Sequence, residues 1–369
     1  MGWMEAAIRR RGGSVDFRTF MELALYDADH GYYARGPVRY GRKGDYLTAP
    51  TASDWYTAVL ARLFEGLAAR AGAPLRVVDA ASGDGSFLAG LLAAWDDRNE
   101  AVEMISVERS AALRRIQEER LPPGRVRTVT GPRGIGPWDG LTVFHASELY
   151  DALPVHRVVG RDGGLAELWV EAGEGGLRWA ERPAPEPLVR HFESRGVRLE
   201  EGQVAEACLE AGPLHRSLLA ACGAPAAAFV LDYGYPARRL YDPRGRRGGS
   251  LACYAGHRMD RDPLDRPGGK DITAHVDWDT LREATRAAGW VEVALVPLAE
   301  FLVRGGIAAL VEARGLGLER EVDAASWTAR QEIKRLLDPD GMGSDLRVLV
   351  QATPDAAPLV SEALGLRTG

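Results

Sequence analysis

The sequence predicts an α/β protein built on an open, doubly wound parallel sheet. Three observations predict it. Short β-branched runs alternate with helical stretches: "LRVVDAA" (75–81), "FLAGLLAAWDD" (87–97), "VEMISVERS" (102–110), "AALRRIQEERL" (111–121) and "LTVFHASE" (141–148). Apolar strands in such alternation signal a parallel sheet covered on both faces. A Gly-x-Gly turn, "SGDGS" (82–86), follows the first strand, and acids stand at three strand ends, Asp79, Glu108 and Glu148.

The elements justify themselves in order. "FRTFMELALYD" (17–27) has helical periodicity, and "SDWYTAVLARLFEGLAARAG" (53–72) is a second helix with Ser53 as N-cap and Gly72 near its end. Between them lies a Gly-rich irregular stretch, 30–50. After the βαβαβ run, "AELWVEAGEGGLRWAE" (166–181) reads as a hairpin, with Gly173, Gly175 and Gly176 supplying its turn. Residues 204–224 read as helical and 227–235 as a strand. Two long loops, 236–250 and 258–275, are rich in Pro, Gly and Arg, and loops of that length are functional or disordered. Residues 278–290 read as helix, 291–302 as strand then helix, and 344–353 as a last strand; the residues after Pro354 are expected to fray. There is no internal repeat.

Composition narrows the function. The 369 residues, 46% hydrophobic and 27% charged, suit a large core in about two domains by length. A net charge of −6 with scattered arginines argues against a nucleic-acid partner. Three dispersed cysteines lack metal spacing and read as reduced thiols of a cytoplasmic protein. No run reaches the roughly 18 apolar residues that span a bilayer, and the N-terminal residues lack a secretory core. No membrane partner is expected, no metal-ligand cluster or Walker loop is present, and a homodimer is left open.

The first βα turn speaks to cofactor. Gly83 and Gly85 let backbone N–H groups approach a ligand closely. A dinucleotide fingerprint needs a third glycine, where Leu88 stands. Glu108 is placed to accept hydrogen bonds from a ribose diol, and Asp79 offers an acid to a cationic amino group. This pattern fits S-adenosylmethionine better than NAD; the bland alternative is a generic turn with solvated acids.

Longer stretches carry a resemblance. "MELALYDADHGYY", "GRKGDYLTAP", "SVERSAALRRIQ", "ASELYDALPV", "LDYGY", "DITAHVDW" and "GSDLRVLVQ" occur in this order between about Phe17 and Gln351. Together they resemble the MidA-like family of S-adenosylmethionine-dependent methyltransferases, which includes a mitochondrial complex I assembly factor that methylates arginine. The resemblance implies a class I methyltransferase sheet, Rossmann-like and doubly wound, with a helical N-terminal extension (1–72), a core (73–159 and 226–353), an inserted hairpin and helices (160–225) and a tail (354–369). It implies that Asp45, Tyr46 and Thr48 line the cleft and that Asp79, Ser82, Gly83, Gly85, Glu108, Arg109 and Ser147 hold the cofactor, with Tyr46 on the substrate side. Three positions depart from the family pattern. Asp79 replaces a glutamate, Ala81 replaces the first turn glycine and is expected to crowd the cofactor, and Ser147 replaces an asparagine.

Ligands of such sheets sit beyond the carboxyl ends of the strands. Glu148, with Asp151, is therefore expected to meet a guanidinium, whose planar fork matches a carboxylate. Asp151 could equally cap its own turn. Asp232 either completes an acidic substrate pocket or fixes the arginine-rich loop after it. His257 and His275 are candidate proton acceptors, and Tyr32, Tyr33, Leu153, Pro154 and Tyr233 candidate substrate walls. The expected activity is transfer of a methyl group to a guanidinium or amine of a protein or small molecule. The alternatives are a degenerate assembly scaffold and a biosynthetic O- or N-methyltransferase.

Overall fold

The computed structural model describes residues 2–34, 53–95, 102–256, 258–316 and 324–366. Asp45, Tyr46, Thr48 and His257 lie outside the described residues.

The chain opens with helix α1 (Trp3–Arg9), strand β1 (Ser14–Asp16) and helix α2 (Phe17–Tyr26), whose N-cap Asp16 accepts from the Thr19 N–H. Helix α3 (Asp54–Ala71) starts where Ser53 Oγ accepts from the Trp55 N–H and stops at Gly72, left-handed with φ 59°. Both ends follow capping chemistry. Then come β2 (Leu75–Ala80), α4 (Ser86–Trp95), β3 (Glu103–Val107), α5 (Ala111–Arg120), β4 (Arg127–Val129) and β5 (Leu141–Ser147). Strands β6 (His156–Arg161), β7 (Gly164–Gly173) and β8 (Gly176–Pro183) lead to α6 (Glu186–Ser194), β9 (Val204–Ala207), α7 (Ala211–Cys222) and β10 (Ala226–Tyr235). The last third holds α8 (Ala237–Leu240), α9 (Pro243–Arg246), β11 (Ala252–Ala255), β12 (Arg258–Asp260), β13 (Asp271–Thr273), β14 (Val276–Asp277), α10 (Trp278–Ala287) and β15 (Val291–Pro297). It closes with α11 (Leu298–Arg304), α12 (Ile307–Ala313), α13 (Ala324–Leu337), α14 (Met342–Asp345), β16 (Leu346–Ala352) and α15 (Ala357–Ala363).

The central sheet runs β15-β16-β10-β5-β2-β3-β4. Strands β10, β5, β2, β3 and β4 are parallel, and β16 lies antiparallel between β10 and β15. Strand β2 is buried at every position, as expected of a strand covered on two faces. One face packs on α3, α4 and α11 through Tyr56, Phe64, Phe87 and Phe301. The other packs on α7 and α10 through Leu218, Leu219, Trp278 and Leu281. A second sheet, β1-β7-β6-β9 with β8 on β7, stands beside it.

Several expectations are corrected. Residues 204–207 form a strand, because Val204–Ala207 pairs antiparallel with His156–Val159, an arrangement that local helical periodicity cannot reveal. Helix α7, grouped with the insert by sequence, packs on the central sheet. The N-terminal extension is not purely helical, since β1 pairs with β7. The first long loop carries α8 and α9, and the second carries β12 and β13, which pair on either side of β11, the strand between the two loops. The tail does not fray as far as it is described, to residue 366: α15 buries Val360, and Leu364 just beyond it is also buried, against the core under α3.

Candidate functional site

The carboxyl ends of β2, β3 and β5 open onto one cavity of about 370 Å³. Its walls come from the first βα turn (Ala81–Asp84), from Glu108 to Ser110 after β3, from Ser147 to Leu149 after β5, and from α2 and α7. That size suits a nucleoside-sized ligand.

The turn is fixed through both backbone polar groups of one residue, Gly83. Glu108 Oε2 accepts the Gly83 N–H at 3.0 Å, and Gln117 Nε2 donates to the Gly83 carbonyl at 2.7 Å. Glu108 Oε1 accepts from the Ser110 N–H at 2.8 Å. Burial raises the Glu108 pKa, against the pull of these two amides. Glu108 is therefore a brace for the turn, with its remaining lone pairs left for a ligand. Ser82 Oγ donates to the Asp79 carbonyl at 2.7 Å. Gly83 and Gly85 are left-handed (φ 56° and 78°), and so is Ala81 at φ 54°, where a side chain costs about 1–2 kcal/mol. Ala81 is exposed and adopts the turn geometry rather than blocking it.

Asp79 does not stand alone. It is 2% exposed, and its Oδ1 accepts from His145 Nδ1 at 2.7 Å. The other ring nitrogen, Nε2, meets the Tyr56 hydroxyl at 2.9 Å. The imidazole stacks on Phe87 with centroids 3.8 Å apart. Burial raises the Tyr56 pKa well above its ordinary value. Asp79 Oδ2 and Ser147 Oγ are buried polar atoms with no hydrogen-bond partner among the described residues. Both residues line the cavity. Orphaned acceptors on a cavity wall fit a ligand that brings donors, such as an ammonium or a ribose hydroxyl.

Glu148 lines the same cavity at φ 52°. A non-glycine residue held left-handed costs about 1–3 kcal/mol and persists only where surroundings over-determine it. Here its N–H donates to the Leu231 carbonyl at 2.8 Å, and the next residues are held by Asp232. Asp232 Oδ2 accepts from the N–H groups of Tyr150 (2.9 Å) and Asp151 (3.4 Å), and Oδ1 from that of Tyr233 (2.8 Å). Burial raises Asp232 to about 8. Burial, then the Asp232 and Asp271 charges, raises Asp151 well above the carboxylate range. No cation figures among the leading influences on either acid. Tyr33, stacked on Tyr26, donates its hydroxyl to Asp271 Oδ1 at 2.8 Å. Behind the turn that carries Glu148 lies a buried group of acids, Asp151, Asp232 and Asp271, the first two raised by their burial.

Of the residues singled out by sequence, Tyr33, Asp79, Ser82, Gly83, Glu108, Arg109, Ser147, Glu148 and Leu153 line the cavity. Arg109 pairs with Glu22 at 2.7 Å and lies 3.9 Å over the Tyr26 ring. Gly85, Tyr32, Asp151, Pro154, Asp232, Tyr233 and His275 do not line it. Asp232 neither completes the cavity wall nor fixes the arginine-rich loop; its Oδ2 is taken by the turn after β5 and its Oδ1 by the Tyr233 N–H of its own strand. His275 is lowered to about 4 by burial, then by Arg246, whose Nη1 lies 3.0 Å from its Nδ1. It sits with Tyr150 and Cys208 around a separate small pocket, so it does not serve as a proton acceptor in the cavity. Sequence reasoning missed His145, Tyr56, Phe87, Gln117 and Asp271. For His145 a signal existed: it is a lone imidazole inside an apolar strand. For Tyr56 and Phe87, buried in ordinary helices, there was none.

Comparison with known proteins agrees with this geometry. Residues 57–295 match a family profile described as S-adenosyl-L-methionine-dependent methyltransferase. A Burkholderia thailandensis protein crystallised with S-adenosyl-homocysteine superposes with a TM-score of 0.82 at 30% identity, covering 96% of this chain and 92% of that one. The curated relatives include proteins named protein arginine methyltransferase NDUFAF7, mitochondrial. The Danio rerio protein is 27% identical over 80% of this chain and 74% of its own length. The Mus musculus protein is 27% identical over 73% and 66%. The chain thus spans about two thirds to three quarters of these relatives. Their mitochondrial names overturn the expectation of a cytoplasmic protein, which rested on cysteine usage alone.

Proposed function

Because this chain belongs to the S-adenosyl-L-methionine-dependent methyltransferase family, we propose that it N-methylates an arginine guanidinium of a protein, with Glu148 as the catalytic carboxylate. When bound, S-adenosylmethionine supplies a methyl group already activated on a sulfonium. Asp79, Ser82, Gly83, Glu108 and Ser147 are the residues that would hold it; the orphaned Asp79 Oδ2 and Ser147 Oγ support this assignment.

The observation that carries the acceptor is the strained Glu148 at the cavity, on a turn behind which Asp151 and Asp232 are buried and raised by that burial. A guanidinium remains protonated at neutral pH and presents a rigid fork of donors. Glu148 would grip that fork, draw positive charge from the reacting nitrogen and take the proton that methylation releases. Asp232 holds the turn that presents Glu148, and Asp151 lies buried in that turn. Positioning is the main contribution, and well-oriented reactants gain on the order of 7–11 kcal/mol from it. The names of the NDUFAF7 relatives support a protein arginine as acceptor.

The test is Glu148→Gln, which keeps size and removes charge. Methylation of arginine-containing peptides, read by mass spectrometry, should fall roughly 10²–10⁴-fold, as for loss of a general base. S-adenosylhomocysteine affinity should hold. Undiminished turnover would remove Glu148 from the chemistry, and products methylated only on lysine or hydroxyls would remove the guanidinium.

A further inference from the structure

Asp79 and His145 face each other across the middle of the central sheet. They are register partners on the parallel strands β2 and β5, so their side chains leave the same face. Both line the cavity, and both are buried, His145 completely. Two helices close over them: α3 brings the Tyr56 hydroxyl to Nε2, and α4 brings the Phe87 ring onto the imidazole. The ring is therefore held at three points, by Asp79 Oδ1, by Tyr56 and by Phe87.

A buried carboxylate is stable only with its lone pairs satisfied. His145 satisfies Oδ1 and leaves Oδ2 with no partner among the described residues. An ionised aspartate accepts only, so Nδ1 carries the proton of this bond. Nε2 then accepts from the Tyr56 hydroxyl in the neutral ring and donates to it in the charged ring. The hydroxyl can serve both, and its raised pKa keeps it protonated. One oxygen of Asp79 is thus committed to the protein and the other is held ready.

We infer that His145 is a positioning residue for cofactor binding: it locks Asp79 in one orientation so that Oδ2 serves as receptor for the ammonium of the methionine arm. Tyr56 and Phe87 hold the imidazole and act one step further back. The inference rests on the assignment of the cavity to the nucleoside cofactor and adds a division of labour within it. The adenosine part is received by the Glu108-braced turn, and the charged arm by an aspartate whose rotamer another strand dictates. Orientation of a charge-assisted hydrogen bond is worth having, since such bonds are roughly twice as strong as neutral ones.

Two ligands separate this role from a merely structural one. S-adenosylhomocysteine carries the ammonium; 5′-methylthioadenosine has the same nucleoside without the arm. By calorimetry on the full chain, His145→Phe should weaken S-adenosylhomocysteine about 10–100-fold, the range of a hydrogen bond to a charged group. Binding of 5′-methylthioadenosine should change less than about threefold, being without that bond. His145→Gln, which can still donate to Asp79, should restore most of the loss. In an Asp79→Asn background His145→Phe should cost little more, because the two act as one unit. Should His145→Phe fail to fold, Tyr56→Phe probes the same chain of contacts: a smaller loss is expected for S-adenosylhomocysteine and none for 5′-methylthioadenosine. Equal losses for both ligands, or no loss in a folded variant, would overturn the positioning role. A wild-type chain that binds neither nucleoside would instead overturn the cavity assignment, and this inference with it.

Discussion

The Asp232 carboxylate accepts the Tyr150 backbone N–H at 2.9 Å, so the end of β10 ties down the turn that presents Glu148. The same oxygen reaches the Asp151 N–H, and the other oxygen holds that of Tyr233. A side chain read from the sequence as either part of a substrate pocket or the anchor of the arginine-rich loop instead anchors the turn that carries Glu148.

Asp232→Ala should therefore act on stability before activity. It leaves buried N–H groups unpaired, at about 1–3 kcal/mol each. Urea unfolding should show a loss of a few kcal/mol, and Asp232→Asn, which keeps an acceptor, less than half of it. An alanine variant of native stability would mean that water serves the turn equally well.

Ala81 occupies a left-handed backbone position at φ 54°. Ala81→Gly removes the steric cost, about 1–2 kcal/mol, and returns part of it as unfolded-chain entropy. A net gain of up to about 1 kcal/mol is expected in thermal unfolding. Affinity for S-adenosylhomocysteine should stay level, since the alanine already follows the turn. A large gain in affinity would show that the methyl group does crowd the cofactor.

His215 gives the protein an acid-sensitive core. Its Nδ1 accepts from the Tyr150 hydroxyl at 2.6 Å, and its Nε2 donates to Gln351 Oε1 at 3.1 Å. Burial lowers its pKa to about 4. The unfolded chain takes up this proton near pH 6.5, the folded one only near 4. Stability is thus present above about 6.5 and is lost as pH falls toward 4, by about 3 kcal/mol at most. Asp232 has the opposite sign: raised to about 8, it stabilises most in acid and loses that contribution as pH rises from about 4 to 8. The His215 share is isolated by difference. The gap in urea stability between wild type and His215→Asn should shrink between pH 6.5 and 4.5, and a constant gap would show that His215 is charged in the fold.

The parallel strands and the helix caps were legible because their causes are local. Ser53 caps α3, Gly72 ends it, and the run from Leu75 to Ala80 is apolar enough to be buried on both sides. Strand β9 and helix α15 were not. Val204–Ala207 is a strand because His156–Val159 lies beside it, and residues 357–366 are ordered because Val360 and Leu364 find a core made elsewhere.

By itself the sequence determined the alternating α/β order, the Gly83 turn and the acids at the strand ends, since each depends on neighbours a few residues away. Only the tertiary structure decided which acid faces the cavity and which braces it. Asp79 meets His145 across 66 positions and Asp232 meets Tyr150 across 82. Pairings at that range are set by strand register and packing, which no local run of residues encodes.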